Sequence, residues 1–203
     1  ALMNYSVKVI KTERSHNPKI KGYATVILNN SFILKNIRLM QGRESSMYLA
    51  MPAWVNKTEN HRTVFKDKFN PITKDFRSLM TDAAIKAYET GEVVTGQTGS
   101  GDDMPIEVSV KSSTRNKGNI KASANVVFDN SIVVKGIRYC VNDDQVSFLG
   151  YPSNVINRPS EEKHRFVAVC YPITKDFSNA LYEAIADTYA SMPEETRETP
   201  AEE

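Results

Sequence analysis

The hexapeptide Pro-Ile-Thr-Lys-Asp-Phe occurs twice in the chain, at Pro71–Phe76 and again at Pro172–Phe177. Ahead of it, further identities recur at a constant spacing of 100 residues, such as Ile37-Arg38 and Ile137-Arg138. Self-similarity of this kind indicates that a structural unit has been duplicated. The chain is therefore predicted to contain two copies of one unit.

The duplication divides the chain into four segments. The first repeat covers residues 1–88 and the second covers residues 106–190. The segment 89–105 is rich in glycine, threonine and acidic residues, which predicts a flexible linker, although Val93-Val94 is an apolar step that can pair locally. Residues 191–203 are acidic, contain prolines and lack apolar periodicity, so we expect a disordered tail.

Each repeat has the pattern of a small antiparallel sheet. Alternating segments flank Asn29-Asn30 in the first repeat and Asp129-Asn130 in the second, and these residue types tolerate the positive φ of a two-residue hairpin turn. A polar loop is expected before the last strand of each repeat. The predicted strands outside the second hairpin are Ser6–Thr12, Lys19–Leu28, Phe32–Met40, Met47–Met51, Thr63–Phe69, Glu107–Lys111, Val146–Tyr151 and Arg165–Tyr171.

A helix is predicted to close each repeat. Thr73 and Thr174 stand at the N-cap position, and in both repeats an aspartate two residues later complements the helix dipole. From Phe76 and Phe177 onward, apolar residues recur at the spacing of one helical face, which is expected to lie on the sheet. The fold class is therefore α+β, with a small antiparallel sheet and a C-terminal helix packed on it in each of two tandem repeats.

Composition excludes several classes of protein. The chain has 203 residues, of which 40% are hydrophobic. No apolar run approaches the roughly 18 residues of a spanning helix, and no signal-peptide pattern is present, so we expect no membrane association. The two cysteines, Cys140 and Cys170, are too few for a disulfide scaffold, which favours a cytoplasmic location. They align with Met40 and Phe69, so both are expected to be buried hydrophobic residues.

Four stretches in order carry a family resemblance. They are an N-terminal strand (VKVIKTE), a hairpin of the form LNNSFILKNIR or FDNSIVVKGIR, a strand ending in Ala-Met-Pro at Ala50–Pro52, and Phe-Lys-Asp at Phe65–Asp67 followed by Pro71-Ile72. Together they resemble the SpoVG family of bacterial septation and sporulation regulators. The second repeat departs from this pattern at Gly150–Pro152, where Gly-Tyr-Pro replaces Ala-Met-Pro.

The resemblance implies both an assembly and a function. Members of the family are typically single units that work as homodimers and bind DNA or RNA. This chain is then expected to form an intrachain pseudo-dimer of its two repeats, with further homo-oligomerisation left open. Nucleic-acid contact is implied for the loop after Ala-Met-Pro, the Phe-Lys-Asp strand and the start of the helix.

The charge distribution agrees with a nucleic-acid partner for the first repeat. The net charge of +2 is the balance of +9 in residues 1–88, −4 in the linker, +1 in residues 106–190 and −4 in the tail. A strongly basic small unit is typical of a phosphate-binding surface, whereas the nearly neutral second repeat favours a structural or pairing role. The candidate nucleic-acid-binding residues are Lys57, Arg62, Lys66, Lys68, Lys74 and Arg77.

The sequence also bears on two other functional classes, an enzyme and a protein-interaction module. An enzyme is disfavoured because His16, His61 and His164 are scattered, and the sequence has neither a phosphate-cradling glycine loop nor a nucleophile elbow. No catalytic residue, metal, cofactor or small-molecule substrate is therefore predicted. The alternative function is a protein-interaction module acting in septation or sporulation regulation through its sheet edges, without nucleic-acid contact. Trp54 is expected to pack against a sheet edge rather than to stack on a base.

The acidic tail suggests a first test. If the tail competes with nucleic acid for the basic face of the first repeat, then deleting Ser191–Glu203 tightens nucleic-acid binding, because it removes negative charge from the neighbourhood of that face. Equilibrium titration of the full chain and the truncated chain measures the effect. Equal affinities would assign the tail no part in binding.

Overall fold

The fold was analysed in a computed structural model that describes residues 3–13, 15–58, 60–98, 104–113, 118–156, 165–194 and 196. The first repeat forms β1 (Asn4–Lys11), β2 (Ile20–Leu28), β3 (Phe32–Gln41), a 3₁₀ turn (Arg43–Ser45), β4 (Met47–Ala50), β5 (Ala53–Lys57), β6 (Thr63–Asp67), β7 (Phe69–Pro71) and α1 (Lys74–Thr90). It is followed by β8 (Val94–Gln97), β9 (Ile106–Ser112), β10 (Ile120–Phe128), β11 (Ile132–Val141), β12 (Ser147–Gly150), β13 (Ser153–Ile156), β14 (Arg165–Ala168), β15 (Cys170–Pro172) and α2 (Lys175–Ala190).

Two antiparallel sheets form the body of the protein. One has the order β15-β3-β2-β1-β8, with β4 also paired to β3. The other has the order β12-β11-β10-β9, with β7 also paired to β11. The β5–β6 and β13–β14 hairpins are separate two-stranded sheets. The predicted α+β class with two tandem units is confirmed.

The two hairpin turns have the backbone that their residue types indicated. Asn29 and Asn30 have φ values of 49° and 51°, and Asp129 and Asn130 have values of 50° and 48°. Left-handed backbone at both central positions belongs to the type I′ turn, whose twist matches that of the flanking strands. These turns fix the register of β2 with β3 and of β10 with β11.

The repeats exchange their last strands. β7 belongs to the first repeat in sequence but pairs with β11 of the second, with Phe69 opposite Val134. Reciprocally, β15 of the second repeat pairs with β3 of the first, with Cys170 opposite Leu34. Each repeat therefore completes the other's sheet, and the predicted intrachain pseudo-dimer is confirmed.

A single hydrophobic core runs through both repeats. The rings of Phe32 and Phe128, one from each repeat, have centroids 5.0 Å apart. The ring of Phe177 lies 6.1 Å from each of them. Phe32 and Phe128 belong to one continuous buried cluster that also includes Tyr5, Phe76 and their neighbours, and the half-buried Phe177 packs against it. Sharing a core allows units of this size to bury more apolar surface than either could bury alone.

The helices begin where the repeated hexapeptide predicted. The Thr73 hydroxyl accepts a hydrogen bond from the Phe76 N–H at 3.1 Å, and the Thr174 hydroxyl accepts one from the Phe177 N–H at 3.2 Å. α1 packs against β1 and β8, and α2 packs against β9. Each helix therefore returns to the sheet of its own repeat although the strand before it has crossed to the other. No helix in the described part of the chain is both long and apolar enough to span a membrane.

Two local features of the hairpins differ from the sequence prediction. The expected polar loops begin as strands, β5 and β13, and form hairpins with β6 and β14. The predicted strand Thr63–Phe69 is interrupted at Lys68, because the chain there leaves β5 and joins β11. The Lys68 N–H still donates to Pro52 O, whereas the Lys68 carbonyl already accepts from the Lys135 N–H.

The segment predicted as a flexible linker contains an ordered strand. β8 extends the first sheet beside β1, with Val94 opposite Val7. After this strand, the Thr98 hydroxyl donates to the buried Asp129 carboxylate at 2.6 Å, which connects the segment to the hairpin turn of the second repeat. Residues 99–103 and most of the predicted tail, residues 195 and 197–203, lie outside the described residues.

The shared core predicts one cooperative unfolding transition for the whole chain. Phe32→Ala removes a fully buried ring at the contact between the repeats, so we expect it to lower the free energy of unfolding by about 3–5 kcal/mol. Val93→Ala, at an exposed position outside the strands, is the control and is expected to change it by about 0.5 kcal/mol or less. Denaturant unfolding followed by far-UV circular dichroism and Trp54 fluorescence makes the test. Two separate transitions would contradict the shared core.

Candidate nucleic-acid interface

Most of the β5–β6 hairpin is exposed to solvent. The Thr58 N–H donates to Arg62 O at 2.9 Å, and the Arg62 N–H donates to Thr58 Oγ1 at 3.1 Å, which closes the turn. The described residues between Val55 and Lys66 are all exposed. The hairpin therefore offers its surface to a ligand.

Strand pairing distributes the hairpin's side chains between two faces. Val55 lies opposite Phe65, and Trp54 lies opposite Lys66, and residues at paired positions share a face. Lys57 follows Val55 by two residues and so lies on the face of the Val55–Phe65 pair. Lys57, Arg62 and Lys66 are therefore brought together on one hairpin, although on different faces of it.

Two other candidate residues lie at the start of α1. Lys74 is its first residue and is exposed, and Arg77 follows three residues later on the exposed surface. The Arg77 guanidinium donates from Nη2 to Pro71 O at 3.2 Å, which holds it at the junction of β7 and the helix. The three-residue strand β7 separates these cations from those of the hairpin along the chain.

Lys68 has a structural place that does not fit the predicted phosphate contact. Its side chain is 4% exposed, and its Nζ donates to Ser153 O at 2.8 Å and to Asn154 Oδ1 at 2.6 Å. Burial lowers the pKa of Lys68 below the ordinary lysine value, and the neighbouring Cys170 opposes that shift. The ammonium group joins the first repeat to the second and is almost entirely withdrawn from solvent.

Trp54 packs on the second repeat, although on the inner strand β11 rather than against the sheet edge that was expected. Its ring lies against Gly136, where Cη2 is 2.7 Å from the position that a Cβ would occupy. Gly136 also has a φ of 69°, so glycine satisfies both the backbone and the close approach of the ring. The Lys68 ammonium lies 5.7 Å from the centre of the same ring. Trp54 is therefore held at the boundary of the repeats.

The second hairpin presents a different surface. Asn154 stands where the first hairpin has Trp54, and Val167 stands opposite it where the first has Lys66. Ser178 occupies the position of Arg77. Arg165 is the one cation within the described part of this hairpin, and the intervening residues 157–164 lie outside the described residues. Within the described residues, the first hairpin therefore carries more cations than the second.

Two exposed phenylalanines lie outside the set of site residues predicted from the sequence. The side chains of Phe65 and Phe166 are 66% and 68% exposed. Each pairs across its hairpin with a valine, Val55 or Val155. The sequence signal for these residues is that Phe recurs at the same position of both repeats. In the first repeat this Phe is also part of the Phe-Lys-Asp pattern.

The cysteines are buried, as predicted. Cys140 is 5% exposed and Cys170 is fully buried, and burial raises the pKa of the Cys170 thiol to about 12. A thiol with a raised pKa holds little thiolate, which makes it a poor nucleophile. The described residues contain no cluster of three or more His, Cys, Asp or Glu side chains arranged to bind a metal ion.

Comparison with known proteins identifies the family. The SpoVG family model matches residues 3–90 and again residues 104–191. The chain belongs to the SpoVG family. Its SpoVG relatives include the septation protein SpoVG of Treponema denticola, 35% identical over 78 residues, which make up 38% of this chain and 78% of that protein. That of Archaeoglobus fulgidus is 32% identical over 76 residues, or 37% of this chain and 84% of that protein.

These SpoVG relatives each align with the length of one repeat. The protein of Staphylococcus haemolyticus follows the same pattern, at 30% identity over 86 residues that make up 42% of this chain and 81% of that protein. No solved structure matches the chain. The chain thus contains two SpoVG units where each of these relatives aligns through one.

The buried position of Lys68 predicts a pH effect on stability. The pKa of Lys68 is lower in the folded than in the unfolded chain, so the charged lysine destabilises the folded state. This destabilisation disappears as the pH rises through the folded-state pKa towards the ordinary value of 10.5, because the folded chain then releases its proton first. The free energy of unfolding of the native chain relative to Lys68→Met should therefore increase with pH in that range. Urea unfolding at a series of pH values measures the difference. Lys66→Met, at the neighbouring exposed lysine, controls for loss of a lysine in general, and a constant or falling difference for Lys68→Met would contradict the prediction.

Proposed function

We propose that this SpoVG protein is a non-catalytic, cytoplasmic bacterial regulator that binds DNA or RNA mainly through its first repeat. Its binding residues are Lys57, Arg62 and Lys66 on the β5–β6 hairpin, with Lys74 and Arg77 at the start of α1. The name of its relatives supports septation as the regulated process. Lys68 is left out of this set because its ammonium group is already bound inside the protein.

The observation that carries the proposal is the exposed cationic surface of one repeat. Within the described residues, none of Lys57, Arg62, Lys66 and Lys74 is paired with a carboxylate. Exposed and unpaired lysine and arginine side chains displace the counterions that are condensed on a nucleic acid's phosphate backbone. The release of these counterions provides affinity that does not depend on sequence. Such contacts position a protein on nucleic acid without specifying a sequence.

A protein-interaction module is the second candidate function. The observation that favours it is the exposed Val–Phe pair on each hairpin, because two matched apolar patches suit a protein partner. Such a module keeps its partner when the cations are reversed in charge. A nucleic-acid binder loses affinity under the same change.

The test is a salt titration of binding to single- and double-stranded DNA and RNA. In the Lys66→Glu/Arg77→Glu variant we expect weaker binding and a shallower dependence of log K on log salt. The slope should fall by about 0.9 for each lost contact to duplex DNA and by about 0.7 for each lost contact to a single strand. Absence of salt-dependent binding to all these nucleic acids near physiological ionic strength would overturn the proposal.

The repeated hexapeptide supplies a matched control. Lys74 and Lys175 are both exposed, and each is the first residue of a helix with the same flanking sequence. Lys74→Glu is expected to weaken binding more than Lys175→Glu, because Lys74 belongs to the repeat that carries the other proposed cations. Equal effects of the two variants would contradict binding mainly through the first repeat.

A further inference from the structure

A groove lies between the β5–β6 hairpin and the outer face of the first sheet. It has a volume of about 430 Å³, within the range of about 300–1,000 Å³ that is typical of ligand sites. We call it the hairpin groove, and define it by Tyr23, Asn36, Arg38, Val55, Phe65 and Asn154. Val55 and Phe65 form the wall from the hairpin, and Tyr23 and Arg38, which are opposite each other on β2 and β3, form the wall from the sheet.

The chemistry of the hairpin groove matches an unpaired nucleobase. Phe65 and Tyr23 are 66% and 40% exposed, so two aromatic rings are available to stack on a base. Asn36 brings a side-chain amide that both donates and accepts hydrogen bonds, as the edge of a base requires. The Oδ1 of Asn154 already accepts from Lys68, so Asn154 offers its amide NH₂ as a donor. Arg38 within the groove and Lys57 on the same face of the hairpin complement the phosphates on either side.

The corresponding groove of the second repeat is altered at three positions. Ser123 stands in place of Tyr23, and Gly136 stands in place of Asn36. The counterpart of Asn154 is Trp54, whose ring lies directly on Gly136. The second groove thus lacks the tyrosine and holds a bulky ring where the first has an amide. Phe166 remains exposed there, without the partners that surround Phe65.

We propose that the hairpin groove binds an unpaired base of single-stranded DNA or RNA, with the base stacked on Phe65 and opposite Tyr23. This inference rests on the proposed nucleic-acid function and specifies its ligand. A base inside a duplex is stacked and paired, so it cannot enter the groove. The aromatic pair therefore selects single strands, whereas the cations of the hairpin and α1 supply the affinity that depends on salt.

The experiment compares two exposed phenylalanines. Fluorescence anisotropy is used to titrate Phe65→Ala and Phe166→Ala with labelled DNA and RNA single strands of one mixed sequence and with the corresponding DNA duplex. Phe65→Ala is expected to weaken binding to single strands by about 5-fold to 150-fold, as for loss of one stacked base. The salt slope should be unchanged because no cation is removed. Phe166→Ala should bind like the native chain. Tyr23→Ala should also weaken binding to single strands, because it removes the aromatic ring on the other wall of the groove.

Each outcome decides the inference. The base-binding groove is overturned if Phe65→Ala and Phe166→Ala bind equally well, or if Phe65→Ala loses as much affinity for the duplex as for single strands. The proposed function still stands in that case if Lys66→Glu/Arg77→Glu weakens binding. Absence of binding to any nucleic acid overturns both. Sedimentation of the same variants provides the remaining arm, because a change of oligomeric state in Phe65→Ala without a change in single-strand affinity would assign the groove to another copy of the chain.

Discussion

The reciprocal exchange of β7 and β15 is the constraint on which the rest of the structure depends. Each three-residue strand completes the sheet of the other repeat. The helix that follows each strand packs on the sheet of the repeat to which both belong in sequence. The exchange gives two units of fewer than 90 residues a common core around Phe32 and Phe128. It also determines where the hairpins stand, because β6 leads into β7 and β14 leads into β15 at the points where the chain changes sheets.

Covalent duplication has allowed the two halves to differ. In a dimer of identical chains, every substitution appears on both sides of the two-fold axis. Here Trp54 and Gly136 form a close contact on one side, and Asn154 and Asn36 line an open groove on the other. The cations differ between the repeats in the same way. Lys66 and Arg77 of the first repeat correspond to the uncharged Val167 and Ser178 of the second. The first repeat thus carries the proposed ligand surface and the second completes its structure.

Lys66 and Lys68 show how the fold separates residues that look equivalent in sequence. They are two positions apart, and in an uninterrupted strand they would lie on the same exposed face. The strand partner changes at Lys68, and its side chain is buried against Ser153 and Asn154 of the second repeat while Lys66 stays in solvent. Local sequence does not report this change, because the partner that causes it, β11, lies more than 60 residues further along the chain.

The sequence by itself determined the duplication, the α+β class, the Asn-Asn and Asp-Asn turns and the threonine caps, because each is encoded within a few neighbouring residues or repeated outright. The resemblance to the SpoVG family led to the prediction that the two repeats pair. Only the tertiary structure decided which strands are exchanged, that Lys68 is buried, and that Tyr23, Phe65 and Asn154 meet at one groove. These features join residues that are distant in the chain, and their positions follow from the sheet register and the shared core rather than from local preference.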